Sequence, residues 1–302
     1  MVAMTLEQLK VFVAVAEREH VTRAAEALNL AQSAASAAIA ALEGRHGTTL
    51  FHRVGRHIEL TEAGRLFLHE AKAVLARAEA AELTLAELGE LKRGVLNLAA
   101  SQTIASYWLP RHLVAFRRSH PGIDVRLTVG NTTQAVRAVN EGLVELGFVE
   151  GVVNAPNLVT QPIARDRMVI VVVPDHPMAR CDTVQPDDLY ATDWVLREPG
   201  SGTRAVFEQA LLEQQILLHR LRIALELPSN EAVRAAVEAG MGATAISASV
   251  VASSIEAGLL HLAGYKLPDR EFRVVRHGER HVSKAAQALH RLIITTSGLV
   301  TE

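Results

Sequence analysis

The chain has a single cysteine, Cys181, in 302 residues. One thiol excludes an internal disulfide and any zinc site built on cysteines, and it fits a reducing compartment. Its surroundings, PMARCDTV, offer only Arg180 as a nearby cation, which is weak ground for a redox role. Long apolar runs are missing too: none approaches the roughly 20 residues of a membrane-spanning helix. The N-terminal stretch MVAMTLEQLKVFVAVAERE sets Glu7, Lys10 and Glu17 among its apolar residues, so it lacks the apolar core of a signal peptide. A cytoplasmic protein with no membrane partner is expected. Neither sign of charge dominates: 31 Lys+Arg against 33 Asp+Glu give a formal net charge of −2, which neither favours nor excludes nucleic acid. The 13 histidines are scattered, and no pair has metal-ligand spacing on a helix face, so no metal or other cofactor is expected. What is present is an ordinary globular composition, 49% hydrophobic, in a chain long enough for two or three domains.

Three short helical patterns occupy residues 5–45. Leu6, Leu9, Phe12, Val13 and Ala16 form one apolar face; Ala24, Ala25 and Leu28 a second; Ala35, Ile39 and Leu42 a third. Thr22 and Ser33 fall at or near the starts of the second and third, where a side-chain oxygen can cap free N–H groups. The short turn NLAQ between them makes a helix-turn-helix unit. GTTLFHRVGRHIELT follows, with β-type residues on both sides of RVGRH, as expected of a small hairpin or wing.

From Glu62 to about Lys92 there is no proline, and Phe67, Ala71, Val74, Ala78, Ala81, Leu85 and Leu88 recur at alternating spacings of four and three. That heptad seam predicts a long helix that pairs with another copy, giving a homo-oligomer, dimer or tetramer.

After residue 94 strands and helices alternate. VLNLAAS (95–101), DVRLTVG (124–130) and VELGFVE (144–150) read as strands with helices between, and MVIVVVP (168–174), DWVL, RIALELP (222–228) and ATAIS (243–247) form a second set. The repetition predicts parallel sheets in two similar α/β lobes with a cleft between them. EFRVVRH and a helix from Val282 to Leu292 add one more strand and helix. The expected domains are a winged helix-turn-helix at 1–61, a linker helix at 62–92 and an α/β unit at 93–302. Its lobe I takes about 93–165 and 267–302, and its lobe II about 166–266.

In a helix-turn-helix the start of the second helix enters the major groove. Here it offers Gln32, Ser33 and Ser36; Gln can bond adenine bidentately, and Ser is a permissive donor or acceptor. Residues 45–57 hold Arg45, His46, His52, Arg53, Arg56 and His57 without an acid, a local basic patch that the net charge conceals. Residues 1–65 as a whole are balanced, with seven cations and seven anions.

In the α/β part three segments share a pattern, a strand followed by small hydroxyl or amide residues at a helix start. They are SQT with Ser101 and Thr103, GNTT with Asn131 and Thr132, and GSGT with Ser201, Gly202 and Thr203. Each start brings free N–H donors and the positive end of a helix dipole, so their convergence would suit a small anion. Singly, each is equally readable as an ordinary helix cap. Arg197 and Arg204 bracket GSGT and either add charge to this site or form ion pairs on the lobe surface.

The run from LKVFVAVAE through TRAAEALN, QSAAS, LFHR and LTEAG resembles the N-terminal domain of LysR-type transcriptional regulators, and the rest of the chain follows that family's order. The resemblance implies a double-stranded DNA partner, an operator or promoter, with RNA polymerase a further one, and a small anionic effector between two periplasmic-binding-protein-like lobes. It implies that Gln32, Ser33 and Ser36 face base edges while Thr22, Arg53 and Arg56 hold phosphates. One departure is Ala37, where many members carry Arg. REPGSGTR and ASQTIASYWLP further resemble regulators of sulfur assimilation and carbon fixation, which implies sulfate, sulfite or a phosphorylated or carboxylated metabolite.

Two other classes compete with this reading. An enzyme with GSGT as a catalytic phosphate loop would need a following Lys, a G-x-G-x-x-G after the first strand or a G-x-S-x-G elbow, and the sequence has none of these. A solute-binding or sensor protein without enzymatic activity would explain two lobes but leaves residues 1–92 without a purpose.

Overall fold

The computed structural model describes residues 4–54, 57–86, 94–151, 153 and 155–296. Of the residues singled out above, Arg56 and Leu88 lie outside them, as do the side chains of Arg53 and Leu85. The chain divides into two compact units, Met1–Gly89 and Glu90–Glu302.

In the first unit, α1 (Leu6–Arg18) starts on a capping box, in which the Thr5 hydroxyl accepts from the Gln8 N–H and the Gln8 side chain returns to the Thr5 N–H. α2 (Val21–Ala27) and α3 (Gln32–His46) follow. Asn29, between them, sits at φ 54°, a left-handed conformation that Asn tolerates, and turns the chain. Thr22 and Ser33 lie in the first turns of these helices but do not cap them. His20 Nδ1 caps α2 by accepting from Arg23 N–H at 3.3 Å, and Ala31, at the N-cap of α3, has no side chain able to cap.

The wing is the antiparallel pair β1 (Phe51–Val54) and β2 (His57–Leu60). Glu43, near the end of α3, holds its start: one carboxylate oxygen accepts from Leu50 N–H at 2.7 Å and Phe51 N–H at 3.2 Å. α4 (Glu62–Ala86) then crosses close behind the wing. A Cβ on Gly64 would lie 2.1 Å from the Leu50 carbonyl oxygen, so only glycine allows that crossing.

The core of this unit joins Leu9, Phe12, Val15, Ala35, Leu42 and Ala71. Phe67 packs into it, its ring 4.8 Å from that of Phe12. Two residues of the expected pairing seam, Phe67 and Ala71, therefore also pack within their own unit. Val74, one turn later, is 42% exposed.

The second unit has two sheets. Lobe I orders its strands β4-β3-β5-β12-β6, from β3 (Gly94–Ser101), β4 (Ile123–Gly130), β5 (Leu146–Glu150), β6 (Leu158–Asp166) and β12 (Arg270–His277). Lobe II orders β11-β7-β10-β8-β9, from β7 (Met168–Val172), β8 (Asp193–Arg197), β9 (Arg222–Leu227), β10 (Ala243–Ser247) and β11 (His261–Leu262). The expected parallel sheets are in fact mixed: β3 pairs parallel with β4 and β5, but β12 runs antiparallel to β5 and β6, and β10 antiparallel to β7. The antiparallel strands flank the places where the chain changes lobes, which it does between Asp166 and Met168 and again before Arg270.

Helices α5 (Leu109–Ser119), α6 (Thr132–Glu141) and α11 (Lys284–Thr296) pack on lobe I, and α8 (Gly202–Glu213), α9 (Asn230–Glu238) and α10 (Ala248–Glu256) on lobe II, which also has the short α7 (Pro186–Ala191). Each lobe has its own core, centred on Phe116 and Phe148 in one and on Trp194 and Phe207 in the other. The buried Trp194 indole N–H donates to Leu189 O at 2.9 Å. Among the described residues no helix is long and apolar enough to cross a membrane.

Candidate functional site

The first turn of α3 presents Gln32 and Ser33 exposed, while Ser36 is half-buried. Gln32 Nε2 donates to Ser36 Oγ at 3.3 Å, so the amide's orientation is biased before any partner arrives. Thr22, Arg45, His46 and His52 are exposed as well. An exposed helix start with an amide and a hydroxyl beside uncompensated cations is what reading a DNA groove requires.

In the second unit, strand ends from both lobes meet at a buried polar cluster. Its hub is Arg270, the first residue of β12, whose cross-strand partner is Asp166 at the end of β6. The guanidinium Nε donates to Asp166 Oδ2 at 2.7 Å, Nη1 to Thr203 Oγ1 at 2.9 Å and Nη2 to Thr103 Oγ1 at 3.4 Å. Asp166 is further held by the Ser247 hydroxyl at 2.7 Å. Asn230 Nδ2 also donates to Thr103 Oγ1, at 3.0 Å. Both threonine oxygens therefore accept, and each keeps one O–H proton to give to an acceptor. Ser101 Oγ is buried nearby in sequence, at the end of β3, without a hydrogen-bond partner.

A second line of bonds crosses from lobe to lobe beside this hub. Asn131 caps α6 with its oxygen, accepting from Gln134 N–H, while its amide donates to Glu198 Oε1 at 3.1 Å. Glu198 is gripped by the Arg197 guanidinium at 2.8 and 3.0 Å. Partial burial alone would push the Glu198 carboxyl up. The bonds from Arg197 and Asn131 outweigh it and hold the group below its ordinary range. Arg197 Nη1 also donates to Asn230 Oδ1, and Gln102 accepts from the Asn230 N–H while donating to Pro228 O. Thr132 Oγ1 donates to Glu150 Oε2 at 3.0 Å, and Glu150 Oε1 stands 3.8 Å from Arg270 Nη2. An open cavity of about 670 Å³ is lined by Thr132, Glu150, Ser201, Gly202 and Arg270, with further residues of α8 and β12.

The model of the bacterial regulatory helix-turn-helix protein, lysR family, matches residues 6–65, and that of the LysR substrate binding domain matches residues 89–297. The chain belongs to the LysR family. It is a DNA-binding transcriptional regulator with an effector-binding domain. The HTH-type transcriptional regulator YeiE of Escherichia coli (strain K12) is 35% identical over 284 residues, 93% of this chain and 94% of the relative. A probable RuBisCO transcriptional regulator of Synechocystis sp. is 33% identical over 298 residues, 97% of this chain and 86% of the relative. The regulatory domain of CcmR from Synechocystis PCC6803, solved in complex with 2-PG, is similar at a TM-score of 0.62 and 26% identity, covering 68% of this chain and 98% of that domain.

For this LysR regulator, the structure brings together most of the residues expected in the effector cleft, but not as three equivalent helix starts. Thr103 and Thr203 meet at Arg270, Thr132 and Gly202 meet at Glu150, and Asn131 serves both as a cap and as a contact between lobes. Ser201 sits at the N-cap of α8, but its hydroxyl does not cap that helix. Arg197 is in the cluster, whereas Arg204 is engaged by Glu208 and Glu226. Arg270, Glu150, Asp166 and Asn230 were not anticipated. Asn230 had a visible signal, since LPSNEAV repeats the strand-then-polar-helix-start pattern a fourth time. Glu150, a charge closing an apolar strand, had another. Nothing in PDREF marks Arg270 as buried.

Proposed function

We propose that this LysR-type regulator senses a small anion in the cleft between its two effector lobes, and that the anion changes how the protein engages its operator. The observation that carries the reading is the convergence of Thr103 and Thr203 on one guanidinium, with both hydroxyl protons left to donate. An acceptor-only ligand matches that donor set, and the starts of α6 and α8 add N–H groups and dipole. The CcmR domain held in complex with 2-PG supports a small-molecule ligand on this fold. Sulfate, sulfite and phosphorylated or carboxylated metabolites are the candidate classes.

On DNA, Gln32, Ser33 and Ser36 read base edges, and Thr22, Arg53 and Arg56 hold phosphates. The protein works in the cytoplasm as a dimer or tetramer paired along the linker segment 62–92, with Phe67, Val74, Leu85 and Leu88 in the seam, and has no enzymatic activity of its own. RNA polymerase is the downstream partner.

Fluorescence anisotropy on the DNA upstream of its own gene, with and without small anions, tests this. Affinity should fall steeply with salt and change when the right anion is added. Salt-insensitive binding, or no binding, contradicts the reading.

A further inference from the structure

Glu150 closes β5, a strand otherwise buried and apolar, and its side chain is 2% exposed. It ends where the anion reading places a ligand. Thr132, at the first residue of α6, donates its hydroxyl to Glu150 Oε2. A Cβ on Gly202, the first residue of α8, would lie 2.9 Å from that same oxygen and 2.6 Å from Thr132 Oγ1. The other oxygen faces the Arg270 guanidinium at 3.8 Å. One carboxylate thus spans two helix starts and the central cation, which is the set of partners an oxyanion would use.

Around the hub stand Arg270 against Glu150 and Asp166, a formal sum of −1. Asp166 is committed, since Arg270 and Ser247 each hold one of its oxygens at 2.7 Å. Glu150 is held less well, by one hydroxyl and a guanidinium beyond hydrogen-bond distance. An arriving anion would face two buried carboxylates and one cation, and the arrangement is unfavourable unless one carboxylate leaves. Position agrees with charge. Glu150 and Arg270 line the open cavity, while Thr103 and Thr203 do not. A ligand entering from the cavity meets Glu150 before it meets the threonine hydroxyls.

We propose that Glu150 is the selectivity residue of the effector cleft: its carboxylate is a tethered occupant of the anion position, and the effector binds by exchanging with it. The proposal rests on the anion reading above. The exchange frees the Thr132 hydroxyl and one edge of Arg270, opens the space beside Gly202 at the start of α8, and admits the ligand to Thr103 and Thr203. Selectivity follows from the competition. A monatomic anion is too small to reach donors on separate helix starts at once, whereas a tetrahedral oxyanion has the span to engage Thr132, Thr103, Thr203 and Arg270 together.

The test is calorimetric titration of inorganic phosphate into the full-length protein, its Glu150→Gln and Glu150→Ala variants, and a Glu150→Gln/Thr203→Val double variant. Unfolding midpoints without ligand identify any variant that fails to fold. Removing a like charge about 4 Å from the ligand should tighten binding at least about tenfold in Glu150→Gln. Glu150→Ala should tighten it similarly, and the double variant should lose the gain. Chloride should show no gain in any of them. If wild type binds phosphate and the folded Glu150 variants bind it equally or more weakly, the exchange is overturned while the anion reading stands. If neither wild type nor any folded variant binds phosphate, the anion reading fails and the exchange falls with it.

Discussion

Thr103, which precedes the helical segment Ile104–Trp108 in lobe I, and Thr203, in the first turn of α8 in lobe II, accept hydrogen bonds from the same guanidinium, at 3.4 and 2.9 Å. The two lobes are therefore coupled through side chains that the proposed ligand would also engage. Thr103→Val keeps the shape of the side chain but leaves the Asn230 amide and one edge of Arg270 without an acceptor in a buried place. The expected cost is about 1–3 kcal/mol of stability, measured by urea unfolding. DNA affinity in the absence of ligand should remain close to wild type, since the change is confined to the effector unit.

Arg270→Met should be far more damaging. It leaves Asp166 and Glu150 buried without their cation, and breaking a buried ion pair from one side typically costs about 3–5 kcal/mol. Adding Asp166→Asn and Glu150→Gln to the same chain should recover part of the loss. Equal stability of the single and triple variants in urea would contradict the role assigned to Arg270.

The local elements were readable from local chemistry. Periodicity placed α1 to α3, the β-type residues around RVGRH placed the wing, and small polar residues after strands placed the helix starts of the cleft. Apart from the caps at Thr22, Ser33 and Ser201, the failures are long-range. Sheet direction depends on where the chain changes lobes, and no local pattern reports that. β6 escaped notice because LVTQPIARD contains Pro162, which an edge strand tolerates and a central one does not. Arg270 is buried only because Asp166, Thr103 and Thr203, from 67 to 167 residues away in sequence, assemble around it. The heptad spacing in α4 does not say which turns of the helix pack within their own unit.

That division of α4 separates two variants. Phe67→Ala removes a ring packed on Phe12 and should destabilise the N-terminal unit by a few kcal/mol. Val74→Asp touches an exposed position and should leave that unit folded while weakening the oligomer. Light scattering at micromolar concentration, paired with thermal unfolding, distinguishes them. A Val74→Asp protein of unchanged mass would remove α4 from the pairing surface.

Two groups of residues set the acid side of the stability curve. His112 and His290 are held below the ordinary imidazole value of 6.5 by burial, reinforced by Arg111 and Arg276, and His176 by burial alone. The unfolded chain binds these protons more readily, so stability should begin to fall as pH drops below about 6.5. Glu198 acts later. Its folded value lies below the ordinary one, so its contribution is complete above the ordinary carboxylate range and is lost as pH falls through the folded value. Glu198→Gln should flatten the lowest part of the curve and leave the limb near pH 6 unchanged. Urea unfolding from pH 7 down to pH 3 reads both effects.

A thermal-shift screen of the full-length protein against sulfate, sulfite, phosphate and small phosphorylated and carboxylated compounds tests the sensing account most directly. A true effector at about 100 times its dissociation constant stabilises by roughly 2.7 kcal/mol, a clear rise in the unfolding midpoint. The account predicts such a rise for at least one of these anions in wild type and its loss in Thr203→Val. No rise with any anion, or an equal rise in the variant, would contradict it.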